Sequence, residues 1–193
     1  MKRELIALVV CAAALSGCAV TVDGTATKAK LPTVSVYGND GSEEDSFAVS
    51  TLSDMAAYWK SKGVDLNHLR YVQWNTSEGD SPLWCDHSVF PQASFCDTGW
   101  IGWDKSWLVK TVAIDPAVAA VYMSSAVSSA VMFSKLGDRY SRSEIRNMAC
   151  LNGAYLSTTP YGSSKTLKHY SMDITAYARG WTSTDPLGEC LSL

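Results

Sequence analysis

The sequence lacks several features that would point directly to an activity. Its 193 residues include only three histidines, and no two of its six cysteines stand in a C-x-x-C spacing, which disfavours a zinc site built from clustered cysteine and histidine. No G-x-S-x-G segment is present, so the nucleophile elbow of a serine hydrolase is not expected. Charged residues make up 18% of the chain, the formal net charge is −3, and no run of basic residues occurs. Nucleic acid is therefore a poor candidate partner.

The chain also lacks a long apolar run beyond its N-terminus, where a different signal stands. Lys2 and Arg3 precede an apolar stretch over residues 5–15, which is too short to span a bilayer. It ends in Ser16-Gly17-Cys18, with small residues directly before a cysteine, as in a bacterial lipobox. We expect residues 1–17 to be a removable signal peptide and Cys18 to carry lipid. This anchor predicts a lipid-anchored protein on the extracytoplasmic face of the cell membrane, with membrane lipid as its first partner. The alternative, a secretory signal that happens to contain a cysteine, is less favoured because the cysteine stands where cleavage must occur.

Cysteine usage agrees with export. Once Cys11 and Cys18 are set aside, four cysteines remain, namely Cys85, Cys96, Cys150 and Cys190. An even number in an oxidising compartment predicts two disulfides, for which three pairings are possible. We favour the pairing of sequence neighbours, Cys85–Cys96 and Cys150–Cys190. A metal site is the weaker alternative, because His68, His87 and His169 are scattered singly.

Residues 18–49 are predicted to be a flexible tether, because they are rich in small and polar residues without a helical or strand period. The folded domain is predicted over residues 50–193. A helix is expected from about Ser53 to Gly63, and strands are expected at residues 69–74 and 100–103. Asp115-Pro116 is a helix start, with proline at the first helical position, and Gly137 is a stop.

The helix over about 116–135 is apolar almost all round, which predicts a buried central helix. A further helix is expected from a capping box at Ser141 and Glu144 to about Leu156, and a last one over residues 167–178, followed by a tail to Cys190. The predicted fold class is α+β, mostly helical with a small sheet.

The order of landmarks along the chain resembles a known family. They are Phe95-Cys96-Asp97, then Trp103-Asp104, Leu108, the long apolar helix, and Ala149-Cys150-Leu151-Asn152-Gly153-Ala154-Tyr155. Together they are similar to the neutral zinc metallopeptidase family found as lipoproteins in actinobacteria, over roughly residues 50–190. Residues 22–26 resemble lipoproteins of mycobacteria and of the phages that infect them. The resemblance implies a zincin-like fold.

The catalytic residues of that family do not appear at the matching positions. The family places His-Glu-x-x-His on its central helix, where two histidines hold zinc and the glutamate is the general base. The matching residues here are Ser124, Ser125 and Ser128, the position of the further acidic ligand falls at Ile145, and Ala149 replaces an aspartate. The resemblance therefore implies a pseudoenzyme with no catalytic residue and no cofactor. We expect the buried serines to bond back to carbonyls four residues earlier.

The predicted function is binding at the cell surface, with an envelope protein or peptide as the unknown partner. For six tryptophans, packing in the core and strands is the favoured interpretation, and their exposed parts could also supply a binding patch: Trp74, Trp84, Trp100, Trp103, Trp107 and Trp181. If the chain is phage-encoded, superinfection exclusion is one role for such binding. Two alternatives stay open, namely a residual metallopeptidase with non-standard ligands and an envelope structural or assembly factor.

Overall fold

A computed structural model of the chain describes residues 33–78, 92–139, 145–163 and 173–193, all within one unit, Leu31–Leu193. The described part is α+β and mostly helical, with one small sheet, as predicted from the sequence. Several predicted features lie outside the described residues: the signal peptide, Cys18, Trp84, Cys85, His87, the capping box Ser141–Glu144 and His169.

The sheet has four strands in the order β1-β2-β4-β3. They are β1 (Val36–Tyr37), β2 (Arg70–Trp74), β3 (Ser94–Cys96) and β4 (Trp100–Asp104). The first three in that order run parallel, and β3 is an antiparallel edge strand. The strands predicted at residues 69–74 and 100–103 are confirmed. The short strands β1 and β3 were not predicted, because two or three residues are too few to show an alternating pattern.

The domain begins earlier than the sequence suggested, so the predicted boundary at residue 50 is wrong. Strand β1 pairs with β2, and helix α1 (Glu43–Ser61) starts well before Ser53. Ser42 caps α1 by accepting a hydrogen bond from the Asp45 amide, and three acidic residues fill the first turn. Acidic side chains are stabilising at a helix N-terminus, and residues 43–45, which were interpreted as part of the tether, are the start of a helix.

The remaining helices are α2 (Lys105–Ile114), α3 (Pro116–Leu136), α4 (Ile145–Leu156), α5 (Ile174–Thr182) and α6 (Pro186–Cys190). Short 3₁₀ turns follow β2, α3 and α4 at Thr76–Glu78, Gly137–Arg139 and Pro160–Ser163. Residues 167–172 of the helix predicted over 167–178 lie outside the described residues, and the part within them belongs to α5, which begins after its cap Asp173. The predicted C-terminal tail contains α6.

Helix α3 is the buried central helix that the sequence predicted. Pro116 occupies its first turn, the Asp115 carboxylate accepts a hydrogen bond from the Ala117 amide, and Gly137 ends the helix with a positive φ of 54°. The helix is long and apolar enough to cross a membrane. However, 72% of its most apolar 18-residue stretch is buried inside the domain, as in a core helix.

Helices α4 and α5 pack backbone against backbone through two glycines. A Cβ atom on Gly180 would lie 1.7 Å from the carbonyl oxygen of Cys150, and one on Gly153 would lie 2.1 Å from that of Tyr177. Both distances are far below van der Waals contact. Only glycine at these two positions therefore lets the helices approach so closely.

One disulfide lies within the described residues and joins α4 to α6. Cys150 and Cys190 are bonded with a Cα–Cα distance of 5.4 Å, which confirms this predicted pair. Cys96 is also disulfide-bonded. Because Cys85 lies outside the described residues, the pair Cys85–Cys96 stays a prediction.

Candidate functional site

Three serines of α3 converge on one asparagine of α4. The hydroxyl groups of Ser124 and Ser128 both donate to the Asn152 side-chain oxygen, at 3.1 and 2.7 Å. The Asn152 amide nitrogen donates in turn to the Ser125 hydroxyl at 2.8 Å. We call these four residues the serine–asparagine cluster. Its serines are those that the sequence resemblance aligned with the zinc-ligand and general-base positions of the metallopeptidase family, an alignment that stays a prediction.

Three of the four residues of the cluster are buried, Ser125 is half-buried, and each of the three hydroxyls donates its one hydrogen. Ser124, Ser128 and Asn152 are 2%, 0% and 5% exposed. Ser125 donates back to the Val121 carbonyl at 3.0 Å, as expected for a serine in a buried helix. The same expectation is wrong for Ser124 and Ser128, which donate across the helix interface instead. A tertiary partner is available to them, and each buried hydroxyl has only one hydrogen to donate.

Helical spacing explains the convergence. Residues 124 and 128 are one turn apart and lie on the same face of α3, and residue 125 lies about 100° around the helix. Sequence reasoning did not single out Asn152. The available signal was a polar side chain in the segment Cys150-Leu151-Asn152-Gly153, all of which is buried. A buried amide needs partners, and the serines of α3 are those partners.

The position matched to the family's acidic ligand lies about two helical turns away from the residue that meets the serines. Ile145 begins α4 and is 39% exposed. It precedes Asn152 by seven residues, about 10 Å along a helix. Ala149 is buried in the same helix. The α4 residue that meets Ser124 and Ser128 is therefore Asn152.

The cluster does not fit a zinc ion. Zinc in proteins is held by imidazole, thiolate and carboxylate groups, whereas the cluster offers three neutral hydroxyls and a neutral amide. The amide oxygen already accepts two hydrogen bonds. Over the ranges that the structure describes, no three histidine, cysteine, aspartate or glutamate side chains come together. The cluster also holds no ionisable group for general acid–base chemistry.

A second polar cluster lies at the carboxyl ends of the parallel strands. The Gln73 amide donates to the Asp45 carboxylate at 2.7 Å and accepts from the Trp103 indole at 2.8 Å. Lys105 pairs with Asp40, and its ammonium group holds the pKa of that carboxyl well below its usual range. The carboxyl ends of parallel strands often bind ligands. Here the groups satisfy one another, so this cluster fastens the loop before α1 to the sheet.

The tryptophans do not form one exposed patch within the described residues. Trp74 and Trp103 are 6% and 0% exposed, which confirms the favoured interpretation of core packing and removes them from a surface patch. Their bulky rings are covered. Trp100, Trp107 and Trp181 are half-buried, and His68 is exposed in the loop before β2.

Comparison of the chain with family models, with curated proteins and with solved structures finds no match.

Proposed function

We propose that this chain is a membrane-anchored surface lipoprotein whose zincin-like domain is catalytically inactive and acts by binding. The observation that carries the proposal is the serine–asparagine cluster. The residues that match the zinc ligands and the general base meet the following helix, as the family resemblance implies. The contact between these serines and the following helix consists of hydroxyl and amide groups that are hydrogen-bonded to one another.

The chemistry of the cluster supports a lost rather than an altered activity. A zinc peptidase needs a metal-bound water whose pKa is lowered and a base that takes its proton. Near neutral pH a serine hydroxyl neither holds zinc well enough to activate a water nor accepts a proton as a base. In addition, Ser128 and Asn152 are buried from solvent. The cluster instead joins two core helices, which preserves the fold without preserving the reaction.

The lipid anchor rests on the sequence around Cys18 and on its agreement with the domain that follows. The Cys150–Cys190 disulfide is typical of a protein that folds outside the cytoplasm. Strand β1 begins at Val36, so only a short segment separates Cys18 from the folded domain. A domain held in this way near a bilayer is suited to capture a partner at the envelope surface.

The test is zinc content together with peptidase activity. The chain from residue 18 onward, with Cys18→Ser to remove the lipid, is produced in an oxidising compartment so that disulfides form. A fragment starting at residue 50 is unsuitable, because it removes β1 and the first turns of α1. We expect less than one-tenth of an equivalent of zinc and no cleavage of unstructured peptides.

A variant with zinc-binding side chains placed in the cluster serves as the positive control. It carries Ser124→His, Ser125→Glu, Ser128→His and Asn152→Glu, which returns two imidazoles, a base and a carboxylate to the cluster. We expect this variant to bind about one zinc while the parent does not. Stoichiometric zinc and hydrolysis by the parent chain would overturn the proposal.

A further inference from the structure

A pocket of about 310 Å³ lies between α1 and the C-terminal end of α4 with the turn that follows it. Three tyrosines and one acid dominate its lining, and we call it the tyrosine pocket: Tyr58, Tyr155, Tyr161 and Asp54. Small hydroxyl residues, including Thr158 and Thr159, complete the wall. Its volume is at the lower end of the range of about 300–1,000 Å³ typical of ligand sites, which suits one side chain rather than a large molecule.

The aromatic rings form a partial cage. The rings of Tyr58 and Tyr155 lie 5.5 Å apart at an angle of 68°, so they present two walls that are close to perpendicular. Tyr161 is held edge-on against Phe47, at 6.0 Å and 70°. The faces of such rings carry negative charge density and attract cations. Lys62 already lies 5.8 Å from the Tyr58 ring centre, although it does not line the pocket.

The carboxylate of the pocket is open to a ligand. Within the described residues Asp54 makes no hydrogen bond or ion pair, and it is exposed. Burial raises the pKa of Tyr155 above its ordinary value, and the nearby charges of Asp54 and Tyr161 raise it further. The pKa of Tyr161 is also raised, mainly by burial and to a smaller extent by the charge of Asp54. The negative charge of Asp54 therefore reaches both rings.

Two hydroxyls of the pocket wall already use their hydrogens within the domain. Thr158 and Thr159 donate their hydroxyl hydrogens to the carbonyls of Tyr155 and Leu156, at 2.7 and 3.0 Å, which leaves only oxygen lone pairs for a ligand. The side chain of Tyr155 is 2% exposed, yet its hydroxyl has no hydrogen-bond partner in the described part of the chain. An ammonium or guanidinium group brings only donors, which the Asp54 carboxylate and the hydroxyl oxygens of the wall can accept.

From the ring geometry and the unpaired Asp54 carboxylate, we infer that the tyrosine pocket binds the basic side chain of a peptide, lysine or arginine. The N–H groups of the cation lie against Asp54 and the free oxygens of the wall, and its carbon stem packs between the rings of Tyr58 and Tyr161. This inference rests on the proposed binding function and names the chemistry of its partner.

The test is calorimetric titration of the full chain in a non-ionic detergent. The probes are the N-acetyl methylamides of lysine and arginine, with that of norleucine as a neutral match for lysine. We expect both basic probes to bind with a Kd below about 1 mM and norleucine to bind at least about fivefold more weakly. Raising the salt from about 0.05 to about 0.5 M should weaken the basic probes only.

Two variants locate the site. Asp54→Asn should weaken the basic probes about fivefold or more, and it leaves the fold intact because the residue is exposed. Asp97→Asn removes the same charge from an exposed turn outside the pocket and should change nothing. Tyr161→Leu, which keeps an apolar wall, should also weaken binding. Equal binding of norleucine, no binding of either basic probe, or an unchanged Kd in Asp54→Asn would each overturn the inference.

The same samples separate the two proposals. Zinc content and hydrolysis of a lysine-containing peptide are measured beside each titration. Hydrolysis with intact binding would overturn the proposal that the domain is inactive, but it would leave the pocket assignment unchanged. Absence of both zinc and binding would overturn the pocket assignment alone.

Discussion

Helix propensity and helix packing predict opposite changes in stability when Gly180 is replaced by alanine. Gly180 lies within α5, and an alanine in a helix interior is favoured over glycine by about 1 kcal/mol on intrinsic propensity alone. In this domain its Cβ would lie 1.7 Å from the Cys150 carbonyl oxygen, although real Cβ atoms essentially never come within 3.0 Å of another heavy atom. The obstacle is backbone, so a change of rotamer cannot relieve it. Helices α4 and α5 must separate.

The free energy lost by separating α4 and α5 exceeds the gain in helix propensity. Moving the contact from 1.7 to 3.0 Å or more loosens the packing along the length of both helices. Overpacking of this kind costs about 1–3 kcal/mol and occasionally more, and a backbone clash belongs at the upper end. We expect Gly180→Ala to lower the free energy of unfolding by about 2–4 kcal/mol, and the melting temperature by about 5–15 °C.

Urea unfolding of the oxidised chain, followed by far-UV circular dichroism and tryptophan fluorescence, measures this change. Thr175→Ala is the matched control, because it adds the same residue at an exposed position of α5 and should be neutral or slightly stabilising. Gly153→Ala acts at the same interface, so the double variant should lose less than the sum of the two single losses. An unfolding free energy for Gly180→Ala equal to or above that of the parent would refute the close approach of the two helices.

Three further predictions concern stability. Replacing both Cys150 and Cys190 by serine opens a cross-link between residues 40 positions apart and should cost about 4 kcal/mol, seen as a urea midpoint lower than that of the oxidised parent. Asn152→Leu leaves the hydroxyls of Ser124 and Ser128 without their acceptor and should cost about 1–3 kcal/mol in the same assay, whereas a loss below about 0.5 kcal/mol would argue against the cluster. Burial raises the pKa of Tyr71 from 10.0 to about 12, so above pH 10 the unfolded chain loses a proton that the folded chain keeps. Stability should therefore fall as the pH rises from 10 to 12, by about 2–3 kcal/mol for this residue, and Tyr71→Phe should abolish that part of the loss.

The parts of the fold that could be predicted from the sequence are those with local signals. Helix α3 was predicted to within a residue or two, because Asp115-Pro116 and Gly137 mark its ends within the chain itself. Strand β1 gave no such signal. Its two residues are a strand only because they pair with β2, more than 30 positions away. Propensity over two residues cannot compete with a partner that the sequence does not reveal.

In the candidate site, too, the local features could be predicted from the sequence and the contacts between distant residues could not. The spacing of Ser124 and Ser128 is local, so the sequence placed both on one face of a buried helix. Their acceptor lies on another helix, and the family resemblance indicated Ile145 rather than Asn152 as the position to examine. The tyrosine pocket was not predicted at all, because Asp54 and Tyr155 are about a hundred positions apart and neither has a distinctive sequence context.

The topology of the sheet also orders the steps by which it forms. Strands β3 and β4 are joined by a tight turn at Gly99, and Cys96 pairs with Trp100 only four positions away. In contrast, Tyr71 pairs with Ile101 thirty positions away, and Val36 pairs with Tyr71 across the whole of α1. Because loop-closure entropy must be overcome before distant strands pair, the hairpin should form first and β1 should join last. Amide hydrogens of β1 should then exchange before those of β4, and each opening of β1 exposes the unpaired edge of β2 to other chains.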